Sequence, residues 1–226
     1  MSNRVKTESK YQSSFIKDII SKPQNVLETK IKNWNPPYCG EIDMRISTDG
    51  TWFYCGSPIG RKNLVNLFSS IWLKENDKYF LITPVEKVGI KVDDVPFIAV
   101  DFEKIKENKK TYLVFYTNIE ETIILSKTNP IRIAFNDNTQ EPSPYILVRK
   151  DIEAKIDRKS FYRLLDLAEY SKLEGKEWLG IYSDSIFFPI ILREQLDKEL
   201  IWFNYGWKFW EYSFIDFPLK WNYVLQ

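Results

Sequence analysis

Residues 34–68, WNPPYCGEIDMRISTDGTWFYCGSPIGRKNLVNLF, decide the fold. Ile42, Met44 and Ile46 alternate with polar residues, which is the period of a half-buried strand. Asp49-Gly50 is a strong signal for a two-residue type I′ turn, leading the chain back through Trp52–Cys55. In that register Ile46 opposes Phe53 and Met44 opposes Cys55 on a core face. Asp43, Arg45, Trp52 and Tyr54 then share the opposite face, with Arg45 across from Tyr54, as a polar and aromatic surface and the leading site candidate. Ser57 followed by Pro58 reads as the N-cap and first residue of a helix. Its buried stripe is Leu64, Leu67, Phe68 and Ile71, and its end lies near Lys74.

Half of that stretch recurs. Ile59-x-Arg61-Lys62-x-Leu64-x-x-Leu67-Phe68 returns as Ile156-x-Arg158-Lys159-x-Phe161-x-x-Leu164-Leu165, which predicts a duplicated supersecondary unit. The expected class is α+β: two duplicated hairpin–helix–strand subdomains with a β-meander between them. Residues 1–33 read as an N-terminal helical arm, with Phe15, Ile16, Ile19 and Ile20 at helical spacing within Tyr11–Glu28. Residues 34–92 form the first repeat subdomain, and 93–143 the meander and a polar linker. Strands are expected at Tyr79–Thr83, Val85–Val92, Phe97–Phe102, Thr111–Thr117, Glu121–Leu125 and Ile131–Phe135. Residues 144–190 carry the second repeat unit, with strands at Tyr145–Arg149, Ile152–Ile156, Trp178–Ser183 and Ile186–Pro189. Residues 191–226 are an aromatic-rich extension containing Trp202, Trp207, Trp210 and Trp221.

Composition narrows the chemistry. The 226 residues carry a net charge of +1 with both signs interspersed, which argues against a long nucleic acid as partner. Histidine is absent, removing Ser-His and Cys-His nucleophiles, histidine bases and the usual zinc and haem ligation. No cofactor or metal is implied. Cys39 and Cys55 are the only cysteines, the start is polar, and the apolar runs fall short of the roughly 20 residues a spanning helix needs. A cytoplasmic setting is the expectation.

Several stretches together resemble the bacterial "domain of unknown function 1285" family: Asn35 to Arg45, Asp49 to Tyr54, Gly56 to Lys62, Leu67 to Ser70, Thr83 to Ile90, Thr117-Asn118, Pro144 to Arg149 and Phe187 to Pro189. The resemblance is collinear and runs from about Trp34 to Pro189. It implies two duplicated α/β subdomains, the second pleckstrin-homology-like. It also implies a nucleotide-like ligand between them and a role in signalling, and it supplies no reaction.

The remaining motifs are weighed as binding elements. Gly56-Ser57-Pro58-Ile59-Gly60-Arg61-Lys62 at a helix start could hold an anion, or Ser57 could simply cap the helix. Glu86 and Lys87 are adjacent on a strand, so only one can point into a cleft. The same geometry excludes Glu120-Glu121 and Asp93-Asp94 as acid–base pairs. The Cys-x5-Arg spacings from Cys39 and Cys55 lack a supporting histidine and read as coincidence. The resulting expectation is a non-enzymatic module binding a small phosphorylated or nucleotide-like ligand in a groove between subdomains. Asp43, Arg45, Trp52, Tyr54, Ser57, Arg61, Lys62, Glu86, Lys87 and Arg149 line it. A protein-interaction or self-associating adaptor is the alternative, and an enzyme using Asp43 or Glu86 as base is a third reading.

Overall fold

The computed structural model describes residues 34–136, 141–149 and 151–195. The expected N-terminal helix, part of the 136–144 linker and the extension beyond residue 195 lie outside these residues. The hairpin forms, with β1 at Tyr38–Ile46 and β2 at Trp52–Tyr54. Its register is not the expected one: Met44 pairs with Tyr54, Arg45 with Phe53 and Ile46 with Trp52. The Gly50 amide donates to the Ser47 carbonyl at 2.9 Å, and Gly50 adopts φ +81°. The connection is therefore a type I turn followed by a left-handed glycine, one residue longer than a type I′ turn. A one-residue slip exchanges the faces of the returning strand. Trp52 is 1% exposed and joins Met44 and Ile46 in the core, whereas Cys55 sits exposed in the next turn.

Ser57–Pro58 is not a helix start. It forms β3, paired with Phe53 and Tyr54 on the edge of the hairpin. Helix α1 spans Lys62–Ser70, with Arg61 at the N-cap making no side-chain capping bond. Starting later, the helix turns Val65, Phe68 and Ile71 onto the core and leaves Leu67 exposed. It stops before the expected Lys74, because Trp72–Glu75 is recruited as β4. Strands β5 (Lys78–Ile82) and β6 (Lys87–Val92) complete a six-stranded sheet in the order β3-β2-β1-β6-β5-β4. Its central pair, β1 and β6, is parallel.

The second sheet repeats this topology without a helix inside it. It contains β7 (Phe97–Glu107), β8 (Lys110–Thr117), β9 (Thr122–Ile124), β10 (Ile131–Phe135), β11 (Pro142–Arg149) and β12 (Ile152–Ile156). The order is β10-β11-β12-β7-β8-β9, with β12 parallel to β7. Helix α2 (Arg158–Leu165) is capped by Asp157, whose carboxylate accepts from the Ser160 amide at 2.8 Å. It leads into a three-stranded sheet of β13 (Glu169–Leu173), β14 (Lys176–Ser183) and β15 (Ile186–Leu192). The Ser183 hydroxyl fastens that sheet to the second, accepting from the Leu113 amide and donating to the Leu125 carbonyl.

The α+β expectation, with its duplicated helix-centred units and pleckstrin-homology-like second part, is thus corrected. Among the described residues the protein is mostly β, three sheets with α1 and α2 as short helices beside them. The physical reason lies in the pairing. Segments on either side of each Arg-Lys motif are drawn into sheets, so α1 connects two halves of one sheet while α2 leaves a completed one. Nor is 93–143 one meander: β7, β8 and β9 pair in sequence order, but β10 lies at the opposite edge of the same sheet.

The two large sheets share one hydrophobic core. Trp52 stacks on Phe68 at 6.1 Å and meets Trp72 at 5.7 Å, and Trp72 meets Phe97 of the second sheet at 5.5 Å. The β1–β2 turn presses onto the same junction. A Cβ at Gly50 would lie 2.8 Å from Asn118 Nδ2 and from Ile98 Cγ1, so glycine is required for contact as well as for its positive φ.

Candidate functional site

Strand β6 supplies the organising pattern. Val88 and Ile90 face the core, so Lys87, Gly89 and Lys91 face outward on alternate positions. Antiparallel pairing with β5 sets Phe80 beside Gly89, and parallel pairing with β1 sets Tyr38 beside Lys87, Glu41 beside Gly89 and Arg45 beside Lys91. On this outer face lies a concavity of about 440 Å³, lined by Tyr38, Glu41, Lys78, Phe80, Lys87 and Lys91 among others. That volume is within the range of small-molecule sites, roughly 300–1,000 Å³.

Gly89 shapes the floor. A Cβ there would meet Glu41 Cγ at 3.0 Å and the Tyr38 hydroxyl at 3.4 Å, so its absence lets both side chains fold across the strand. Tyr38 stands edge-on to Phe80, with ring centroids 6.0 Å apart. Lys87 Nζ lies 5.0 Å from the Phe80 ring centre and 2.9 Å from Glu75 Oε2, which fixes its direction. Beside the concavity, Arg45 Nε donates to both carboxylate oxygens of Asp93, at 3.0 and 2.9 Å, and Nη2 joins them. Hydrogen bonding to Arg45 holds the Asp93 carboxyl below the usual range, and the same bond raises the arginine.

The other residues singled out from the sequence do not converge here. Trp52 belongs to the core, which overturns its place on the outer face with Asp43 and Arg45. Tyr54 is exposed, but on the strand face of Met44 and Trp52 rather than that of Arg45. Asp43 is exposed on β1, Ser57 lies in β3, and Arg61 and Lys62 are exposed at the start of α1. Glu86 is in the turn before β6, its amide donating to the Thr83 hydroxyl at 3.2 Å. Arg149 is a strut between sheets: its Nη2 donates to the Ser69 carbonyl at 2.9 Å and pairs with Glu121 at 2.8 Å, while the guanidinium covers Phe97. Asn118 adds to the same junction by accepting from the Ile98 amide at 3.0 Å. The junction is thus packed with side chains, and a concavity of small-molecule size lies on the first sheet instead.

A second hollow of about 300 Å³ lies at the start of α2, but its cations are already engaged, Lys155 by Asp94 at 2.9 Å and Arg158 by Glu141. Tyr38, Lys78, Phe80 and Lys91 were not singled out from the sequence. Lys87-x-Gly89-x-Lys91 carries a readable signal for the lysines, a period of two within a strand, whereas the neighbouring strands that add the aromatics carry none. Among the described residues no group of three or more His, Cys, Asp and Glu side chains is placed to hold a metal ion. No helix among them is long and apolar enough to cross a membrane.

Comparison with known proteins places this architecture. Residues 29–95 match the N-terminal domain of DUF1285, described as a domain of unknown function, and residues 96–190 match the C-terminal domain of the same family. No curated protein matches the chain. A crystal structure of a DUF1285 family protein from Silicibacter pomeroyi DSS-3 is 51% identical, with a TM-score of 0.67, covering 74% of this chain and 89% of that one. A DUF1285 family protein from Shewanella baltica OS155 is 29% identical, with a TM-score of 0.45, covering 55% of this chain and 91% of that one. With both of the family's domains matched in order along most of its length, the chain belongs to the DUF1285 family.

Proposed function

We propose that the protein binds a small phosphorylated, nucleotide-like ligand on the outer face of its first sheet, rather than in a groove between sheets. The observation that carries this reading is one arrangement: Lys78, Lys87 and Lys91 surround a concavity floored by Gly89 and walled by Tyr38 and Phe80. Lysines supply point charges for a phosphate, and the aromatic edge offers apolar area for a flat ring. Glu41 and Asp77 on the rim limit the net positive charge, which favours a small phosphorylated ligand over a long polyanion.

The test is calorimetric titration with ATP, AMP, inorganic phosphate and adenosine. Replacing both exposed lysines, Lys78→Ala with Lys91→Ala, should weaken nucleotide binding more than tenfold, since a charge-assisted hydrogen bond contributes about 1.5–3 kcal/mol. The circular dichroism spectrum should not change. Failure of the wild-type protein to bind any of the four, or undiminished binding by the double variant, refutes the proposal.

A further inference from the structure

Resting on the ligand site just proposed, we infer that Arg45 is an additional ligand cation held in reserve by Asp93, whose carboxylate takes the place of an incoming phosphate. Three observations lead to it. The β5–β6 register ends at Tyr79 opposite Ile90, so the next residues along, Lys78 and Lys91, are neighbours, and the β1–β6 register places Arg45 on the other side of Lys91. All three point outward, because Met44 and Ile46 on β1 and Ile90 on β6 are core residues. Three cations therefore form a row across adjacent strands spaced about 4.8 Å apart.

The second observation is how the row is neutralised. Asp93 follows directly after β6, and its amide donates to the Ile46 carbonyl at 3.0 Å, so its backbone is anchored beside Arg45. From there the carboxylate faces the guanidinium with both oxygens, the fork geometry that arginine also offers to phosphate. Lys91 acts on the same carboxylate through space. Third, the pair is open to competitors, since the Arg45 side chain is 51% exposed. The Asp93 side chain is 16% exposed, so it is the guanidinium that turns outward on release, with the strand pairing left intact. The ligand therefore competes with an internal anion, and Asp93 lowers the affinity of the site and screens out weakly charged ligands.

The test is a double-mutant cycle of wild type, Asp93→Asn, Arg45→Gln and the double variant, titrated with ATP by calorimetry. Asp93→Asn should tighten ATP binding by roughly two- to fivefold, the scale of an exposed ion pair, and steepen its salt dependence. Arg45→Gln removes a cation and uncovers the Asp93 charge, so it should weaken ATP binding, and it should reduce the gain that Asp93→Asn brings. An equal gain with and without Arg45 would mean that removal of a negative charge alone is responsible, and would overturn the inference. So would an Arg45→Gln affinity equal to that of the wild type, an outcome readable even if Asp93→Asn does not fold. Binding by the wild type that is insensitive to the whole cycle overturns this inference alone, whereas no binding of ATP, AMP, inorganic phosphate or adenosine by any of the four proteins overturns the ligand site and the inference together.

Discussion

Replacing Trp52 separates the two hairpin registers more sharply than any other change. In a two-residue turn its indole would face solvent, and truncation would move stability by no more than about 0.5 kcal/mol. In the observed register it is 1% exposed and wedged between Phe68 and Trp72. A buried tryptophan removes about 200 Å² from water, which at roughly 25 cal/mol per Å² is an upper bound near 5 kcal/mol. Truncations of this kind cost about 3–5 kcal/mol. The Trp52 indole N–H has no acceptor among the described residues, a native-state cost of roughly 1–3 kcal/mol that truncation relieves. Trp52→Ala should therefore fall near the low end, about 3 kcal/mol, or a fall of roughly 6–12 °C in melting temperature for a domain of this size. Trp52→Phe retains a ring against Phe68 without the unpaired donor and should cost less than about 1 kcal/mol. Urea denaturation followed by far-ultraviolet circular dichroism measures both, with Tyr54→Ala, 53% exposed, as the surface control. A Trp52→Ala midpoint indistinguishable from that control would refute the register and the packing built on it.

Two further outcomes follow from the same geometry. Gly50→Ala puts a side chain at positive φ and into Asn118 and Ile98, so it should destabilise by about 1–3 kcal/mol from backbone strain alone, read from the denaturant midpoint. A neutral result would remove the turn from the junction. The second outcome concerns pH. Asp49 is held low by the Ser47 hydroxyl and the Thr51 amide, Asp93 by Arg45, and Asp101 by Arg163 and the Phe102 amide. Their folded values lie below the unfolded carboxylate value of about 3.9, so the stability they add is complete above that pH and is lost as pH falls through the folded values. The chain has no histidine, so thermal melts should give a constant midpoint from about pH 5.5 to 7.5 and a decline only below about pH 4. A step near neutrality would contradict this.

Much of the local structure was legible in residue order. Ile42, Met44 and Ile46 announced the inner face of β1, and Ile131–Phe135 and Ile152–Ile156 were delimited by turn chemistry at their ends. The errors arose where a local preference had two outlets. Asp-Gly suits both the two-residue and the three-residue hairpin, and Gly50 follows the longer one, in which the turn lies against Asn118 and Ile98 on the second sheet. Ser57-Pro58 suits a helix start, but the free edge of β2 beside it accepts a strand, and backbone pairing took precedence over the cap. The candidate site was legible only in part. Lys87 was found by its charge, whereas Lys78, Phe80 and Tyr38 come from strands that become its neighbours through pairing.

Residue order alone settled which positions of β1 turn inward, where most turns fall and that this sequence brings no histidine to any site. It did so because a side chain's face alternates with every residue along a strand, a property confined to a few neighbouring positions. The choice of lateral neighbours belonged to the tertiary structure. Parallel pairing of β1 with β6 joins segments more than forty residues apart in the chain, and it alone brings Tyr38 to Lys87 and Arg45 to Lys91. No local pattern encodes such a pairing, because it is selected by how two sheets bury one shared core.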